Sequence, residues 1–182
     1  EIGAHYQINQ GENGWPYLIG NLRAKSATGT SPFEVPVVNG VEQDVPTGSG
    51  FYAIQPSVTA IYPSDPVVYY SNVGYLHNIG RSFPTYGKIE PGAGISGSFG
   101  MSIALNDKSS FSTGYSHTTV METLQNGQKI PNSTVLQVGS LDFGYSYNLT
   151  DHTNLNFNVS AGLTDDAPDT RLIFRLPITY DF

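Results

Sequence analysis

Leu172, Phe174, Leu176, Ile178, Tyr180 and Phe182 share one parity of the segment that ends the sequence, and Arg171, Ile173, Arg175, Pro177, Thr179 and Asp181 share the other. Side chains of a β-strand point alternately to opposite faces, so a strand here carries one wholly apolar face and one largely polar face. A soluble sandwich seldom ends on a fully apolar face with a terminal Phe. In a transmembrane barrel the apolar face meets lipid, the polar face lines the lumen, and aromatic residues sit at the interfaces. The expectation is an all-β chain, folded as a transmembrane antiparallel up-and-down β-barrel. The plainer reading of this segment alone is an edge strand of a soluble sheet.

The same period of two recurs from end to end. Outward-facing sets read as Ile2, Ala4, Tyr6 and Ile8, then Leu18, Leu22 and Ala24, then Tyr52, Ile54, Val58, Ala60 and Tyr62. Val67, Tyr69, Val73 and Tyr75 follow, then Phe99, Met101, Ile103 and Leu105, then Phe111, Thr113 and Tyr115. Leu141, Phe143, Tyr145 and Tyr147 precede Leu155, Phe157, Val159, Ala161 and Leu163, and the closing segment makes nine strands. Most are close to the ~9–11 residues that cross a bilayer when tilted, and no window approaches the ~20 apolar residues of a transmembrane helix.

Gln10–Trp15, Pro63–Asp65, Asn106–Ser110 and Leu149–Thr153 read as short turns, whereas Thr28–Gly50, Gly80–Gly94 and Met121–Val135 are longer, with Thr164–Thr170 again brief. Outer-membrane barrels keep short turns on the periplasmic side. On that rule the last strand runs inward and, counting back, so does the first. Single-chain bacterial barrels have an even strand number, so residues 1–182 are expected to be one barrel domain lacking N-terminal strands, part of a ten- to twelve-stranded whole. An eight-stranded barrel with a short periplasmic lead is the alternative.

The inward faces are rich in small polar residues: Ser96, Ser98, Gly100, Ser102 and Ala104 in one strand, Asn154, Asn156, Asn158, Ser160 and Gly162 in another. Small side chains leave an interior open, in contrast to the filled interior of eight-stranded barrels. Arg23, Lys25, Asp142, Arg171 and Arg175 are the charged residues assigned to the lumen. Gly162 and Asn158 are expected opposite Arg171 and Arg175, which puts either arginine in reach of Asp142. Two readings stand for this group: a charged constriction that selects solutes, and a structural ion pair.

Eight basic residues against a net charge of −7 form no patch and exclude nucleic acid as the partner. The absence of cysteine removes disulfides and Cys-ligated metals. Hydrophobic content of 38%, under the ~45–50% of ordinary globular domains, suits a wall that is greasy on one side only. His5, His77, His117 and His152 show no ligand spacing. The turn Gly162–Asp169 holds three aspartates; oxygen-rich loops can hold Ca²⁺, but Asp and Pro are also ordinary turn formers. No cofactor, no metal and no catalytic residue is therefore assigned, and the chain is read as a non-enzyme.

Leu176, Ile178, Tyr180 and Phe182 resemble the signal by which bacterial outer-membrane proteins engage their barrel-insertion machinery. Gly162-Leu-Thr-Asp-Asp-Ala-Pro-Asp169 followed by this strand resembles the end of a broad family of Gram-negative outer-membrane proteins. Members carry a provisional label as transporters of the meta-cleavage phenol-degradation pathway, and the functional-amyloid exporter channel of pseudomonads is similar to the group. The resemblance implies a bacterial outer-membrane location, lipid and lipopolysaccharide as surroundings, and room for assembly with further copies. It implies a porin-like channel giving passive passage to small hydrophobic or anionic solutes. A secretion channel for a polypeptide such as amyloid subunits, and a structural barrel in a larger envelope complex, are the alternatives.

Overall fold

The computed structural model describes residues 1–38, 41–131, 133–150 and 153–177. Its strands in chain order are β1 (Ile2–Gln7), β2 (Tyr17–Lys25), β3 (Val37–Val38), β4 (Val41–Glu42), β5 (Tyr52–Ser64), β6 (Val67–Ile79), β7 (Arg81–Phe83) and β8 (Gly87–Glu90). They continue with β9 (Gly94–Asn106), β10 (Ser109–Val120), β11 (Leu124–Gln125), β12 (Gln128–Lys129), β13 (Leu136–Thr150), β14 (Thr153–Gly162) and β15 (Thr170–Arg175). The nine long strands form one sheet in the order β1-β2-β5-β6-β9-β10-β13-β14-β15. Each is antiparallel to its neighbours, an up-and-down meander. β1 and β15 are its edges and do not pair with each other, so the sheet is open.

The turns are built by the residues that favour them. Asn106 Oδ1 accepts bonds from the backbone N–H of Lys108 and Ser109, each 2.9 Å, which closes the β9–β10 turn. Between β1 and β2, Asn9 Oδ1 accepts from the Leu18 N–H at 2.7 Å while its amide donates to the Pro16 carbonyl. Gly11 precedes the one-turn 3-10 helix there and Gly14 ends it, with φ of 67° and 76°, a region open to Gly without steric cost.

Pairing register sorts the side chains onto two faces. One cross-strand row reads Tyr62, Tyr69, Met101, Thr113, Phe143, Val159, Leu172; the next reads Ser64, Val67, Ile103, Phe111, Tyr145, Phe157, Phe174. The outward sets expected from the sequence fall on this one face wherever their residues are paired in the sheet. It is not covered: Phe99 is 63% exposed, Leu172 64% and Phe174 66%. A soluble monomer rarely leaves an apolar patch of more than a few hundred Å² open, and this face runs across the whole sheet.

The buried apolar core lies elsewhere. Val35, Phe51, Ala53, Phe83 and Ile89 are the buried hydrophobic residues among those described, and all but Ala53 lie outside the nine-strand wall. Three connections expected to be plain loops are folded instead. β3 and β4 form a hairpin in the first, while β7, β8, β11 and β12 from the other two make a four-stranded sheet in the order β12-β11-β8-β7. Phe33 packs on Phe51, Phe83 and Tyr86, with centroids 5.9, 5.1 and 5.5 Å apart. The Arg81 guanidinium lies 5.1 Å over the Phe83 ring and bonds Glu34 at 2.6 Å. Two-residue strands carry no readable period, which is why the pattern left these segments blank. The result is a cap at one end of the sheet.

Candidate functional site

The opposite face of the wall is mostly polar, with a few apolar residues such as Ile19, Val68 and Ile173. One row runs Thr59, Asn72, Ser98, Ser116, Ser140, Gly162; the next runs Ile61, Tyr70, Gly100, Gly114, Asp142, Ser160, Arg171. Arg23 pairs with Gln55 and Lys25 with Ala53 on the same parity. All five charged residues singled out in the sequence therefore stand on this face, in two groups on opposite sides of the sheet.

The first group spans β1, β2, β5 and β6. His5 Nδ1 is 2.7 Å from Asn21 Oδ1, and the Asn21 and Asn72 amides both donate to Thr59 Oγ1, at 3.2 and 2.8 Å. Arg23 donates twice to Gln55 Oε1, at 3.1 and 2.6 Å, and Glu1 lies 3.8 Å away. His5, Asn21, Arg23, Gln55, Thr59 and Asn72 line a cavity of about 490 Å³. Lys25 Nζ donates to Ser49 Oγ at 2.9 Å, tying the first long connection to the wall. Phe51 and Ala53, of the same parity as Gln55, are each 5% exposed. The cap thus covers the polar face at this end, an arrangement that no local pattern announced.

The second group spans β10, β13, β14 and β15. Asp142 accepts hydrogen bonds from Ser116 Oγ, at 2.8 Å, and from Ser160 Oγ. Of the two readings of this group, the ion pair between Asp142 and an arginine is not found; the described ion pairs are Arg23–Glu1, Arg81–Glu34, Lys88–Glu90 and Lys129–Glu122. The expected register of the last strand is also corrected. Ser160 faces Arg171 and Asn156 faces Arg175, because the turn after β14 is centred one residue earlier than expected, with the Gly162 N–H bonded to the Asp169 carbonyl at 3.1 Å. The offset is two residues, so every side chain keeps its face. Further down, Ser146 Oγ donates to Asn154 Oδ1 and Asn156 Oδ1, at 2.9 and 2.7 Å.

Tyr70 was not among the residues singled out. Its hydroxyl reaches over Gly100 and Gly114, where an added Cβ would stand 2.6 Å from its Cζ and 2.7 Å from its Oη respectively. The two glycines paired across β9 and β10 are the signal that marks this neighbour. In the aspartate turn, Asp166 Oδ2 accepts from the Gln137 N–H at 2.8 Å, a structural use of one of the three carboxylates. Among the described residues no three His, Asp or Glu side chains gather as a metal-ligand set. Of the insertion-signal residues, Leu176 is 48% exposed; Ile178, Tyr180 and Phe182 lie outside the described residues.

No described helix is long and apolar enough to cross a membrane, which leaves strands as the spanning element if the chain spans one. A nine-stranded meander, apolar on one face and polar on the other, fits a β-barrel transport protein and is compatible with an outer-membrane location. Comparison with known families bears on the same point, with a match over residues 5–176 that takes in the cap, half of β1 and the whole of the other eight long strands. The chain belongs to the family described as "Putative MetA-pathway of phenol degradation".

Proposed function

We propose that this chain forms the wall of an outer-membrane β-barrel that gives small solutes passive passage along its polar face. The observation that carries this reading is the register: nine consecutive strands turn their apolar residues to one side and Arg23, Lys25, Asp142, Arg171 and Arg175 to the other. Lipid satisfies the first face and water the second, with no further layer needed. Family membership supports a transport role. In this reading lipid and lipopolysaccharide surround the wall, the barrel-insertion machinery places it, and the capped end narrows the mouth.

Four cations against Asp142 and Glu1 make the polar face net positive, although the whole chain carries −7. Fixed positive charge between low-dielectric walls draws anions in, over a screening length of ~8 Å at physiological salt. The solutes proposed are therefore small, hydrophobic or anionic. Planar-bilayer recording of the purified protein in KCl tests the passage itself. A steady ohmic conductance is expected. A folded, inserted protein that stays silent overturns the open pore and favours a gated polypeptide exporter or a structural barrel.

A further inference from the structure

One cavity on the polar face holds opposite charges that do not touch. It has a volume of about 270 Å³ and is lined by Asp142 and Arg171 with Ser116, Thr118, Ser140 and Ser160 among its walls. Ser160 pairs with Asp142 on one side and with Arg171 on the other, so the two charged residues sit two strand spacings apart, ~10 Å between backbones. An ionised carboxylate offers about four lone-pair sites, and the two serine hydroxyls engage two on Asp142. Arg171 brings about five N–H donors, and neither residue is in an ion pair among the described residues.

We propose that Asp142 and Arg171 are the two poles of a binding subsite for small zwitterions, solutes with an ammonium at one end and a carboxylate at the other. The ammonium donates to the open lone pairs of Asp142. The carboxylate takes the planar fork of Arg171, the geometry in which guanidinium binds carboxylate best. Ser160 stands between the poles, and the hydroxyls of Thr118 and Ser140 add to the cavity walls. The cavity has room for several waters, or for a solute of amino-acid size. A plain anion meets repulsion from Asp142 and a plain cation from Arg171, so the pair selects for both charges together. Sites along a passage must bind weakly enough to release, which places the expected affinity in the millimolar range.

The subsite rests on the polar face being open to solutes, as the passage reading has it. Its test is a saturation-transfer NMR titration of the full chain refolded in detergent micelles, with γ-aminobutyrate, butyrate and butylamine as probes. The zwitterion is expected to bind saturably, at least ten-fold tighter than either single-charge probe. Asp142→Asn and Arg171→Gln should each weaken it ten-fold or more, whereas Lys108→Gln in the β9–β10 turn should not change it. If Asp142→Asn fails to refold, Arg171→Gln and the three-probe comparison carry the result. Equal binding of all three probes, no saturable binding to the folded chain, or binding untouched by the pole substitutions overturns the proposal. Bilayer conductance of the same preparation separates the two readings: a conducting pore that binds no zwitterion retires the subsite alone, and a silent protein that binds it retires the passage alone.

Discussion

Gly97 and Gly100 both stand in β9 and face opposite sides of the sheet. A Cβ at Gly97 meets nothing within 4 Å, whereas at Gly100 it would lie 2.6 Å from the Thr113 carbonyl oxygen as well as against Tyr70. Backbone cannot step aside as a side-chain tip can. Gly100→Ala is expected to cost ~1–3 kcal/mol, the usual range for overpacking, and Gly97→Ala to stay within ~0.5 kcal/mol; urea unfolding in lipid vesicles compares them. Phe157 and Asn156 make a second pair of opposites. Phe157 lies between Tyr145 and Phe174 on the apolar face, and Asn156 accepts from Ser146 on the polar one. With lipid on the apolar side, Phe157→Arg should destabilise by ~2–4 kcal/mol near the midplane and Asn156→Arg by far less. Equal losses in a lipid-refolding titration would refute the assignment of faces.

At the scale of elements, the cap and the wall are held together by different forces. The wall rests on strand pairing and on whatever meets its apolar face; the cap has the buried cluster of Phe51, Phe83 and Ile89, with Phe33 packed against it. Phe83 is 3% exposed, and truncation of a buried Phe typically costs ~3–5 kcal/mol. Phe83→Ala is therefore expected to speed hydrogen exchange across the cap strands β7, β8, β11 and β12 and the loop carrying Phe33, while amides of the wall strands β9, β10, β13 and β14 exchange as before. Accelerated exchange throughout would mean that the cap and wall unfold as one unit. The nine long strands were legible because alternation over several residues is a strong signal that tertiary packing had no need to override. The cap was not, since its strands are two to four residues long and its aromatic cluster joins segments distant in the chain. The ion-pair reading of Asp142 is not realised because the hydroxyls of Ser116 and Ser160, on the two strands that flank β13, serve its carboxylate instead.

For the molecule as a whole, charge placement and strand direction each have a consequence. Arg171 and Arg175 project from β15 onto the polar face, so replacing both by Glu should move ion preference toward cations. Reversal potentials under a KCl gradient read this directly, and an unchanged value in the double variant rules these arginines out as the filter. The two ends of the sheet matter in another way. β1 and β15, first and last of nine strands that alternate in direction, run the same way. Along each outer edge every second residue aims its N–H and C=O away from the sheet, and hydrocarbon offers those groups no partner, at several kcal/mol for each one left bare. A bilayer therefore accepts this wall only with its edges sewn up. Brought together directly, β1 and β15 would make a parallel seam in an otherwise antiparallel cylinder. A seam that keeps every contact antiparallel takes an odd number of strands between them, from this chain or another, and the hydrogen bonds of that seam become a condition of membrane residence as strict as the greasy face itself.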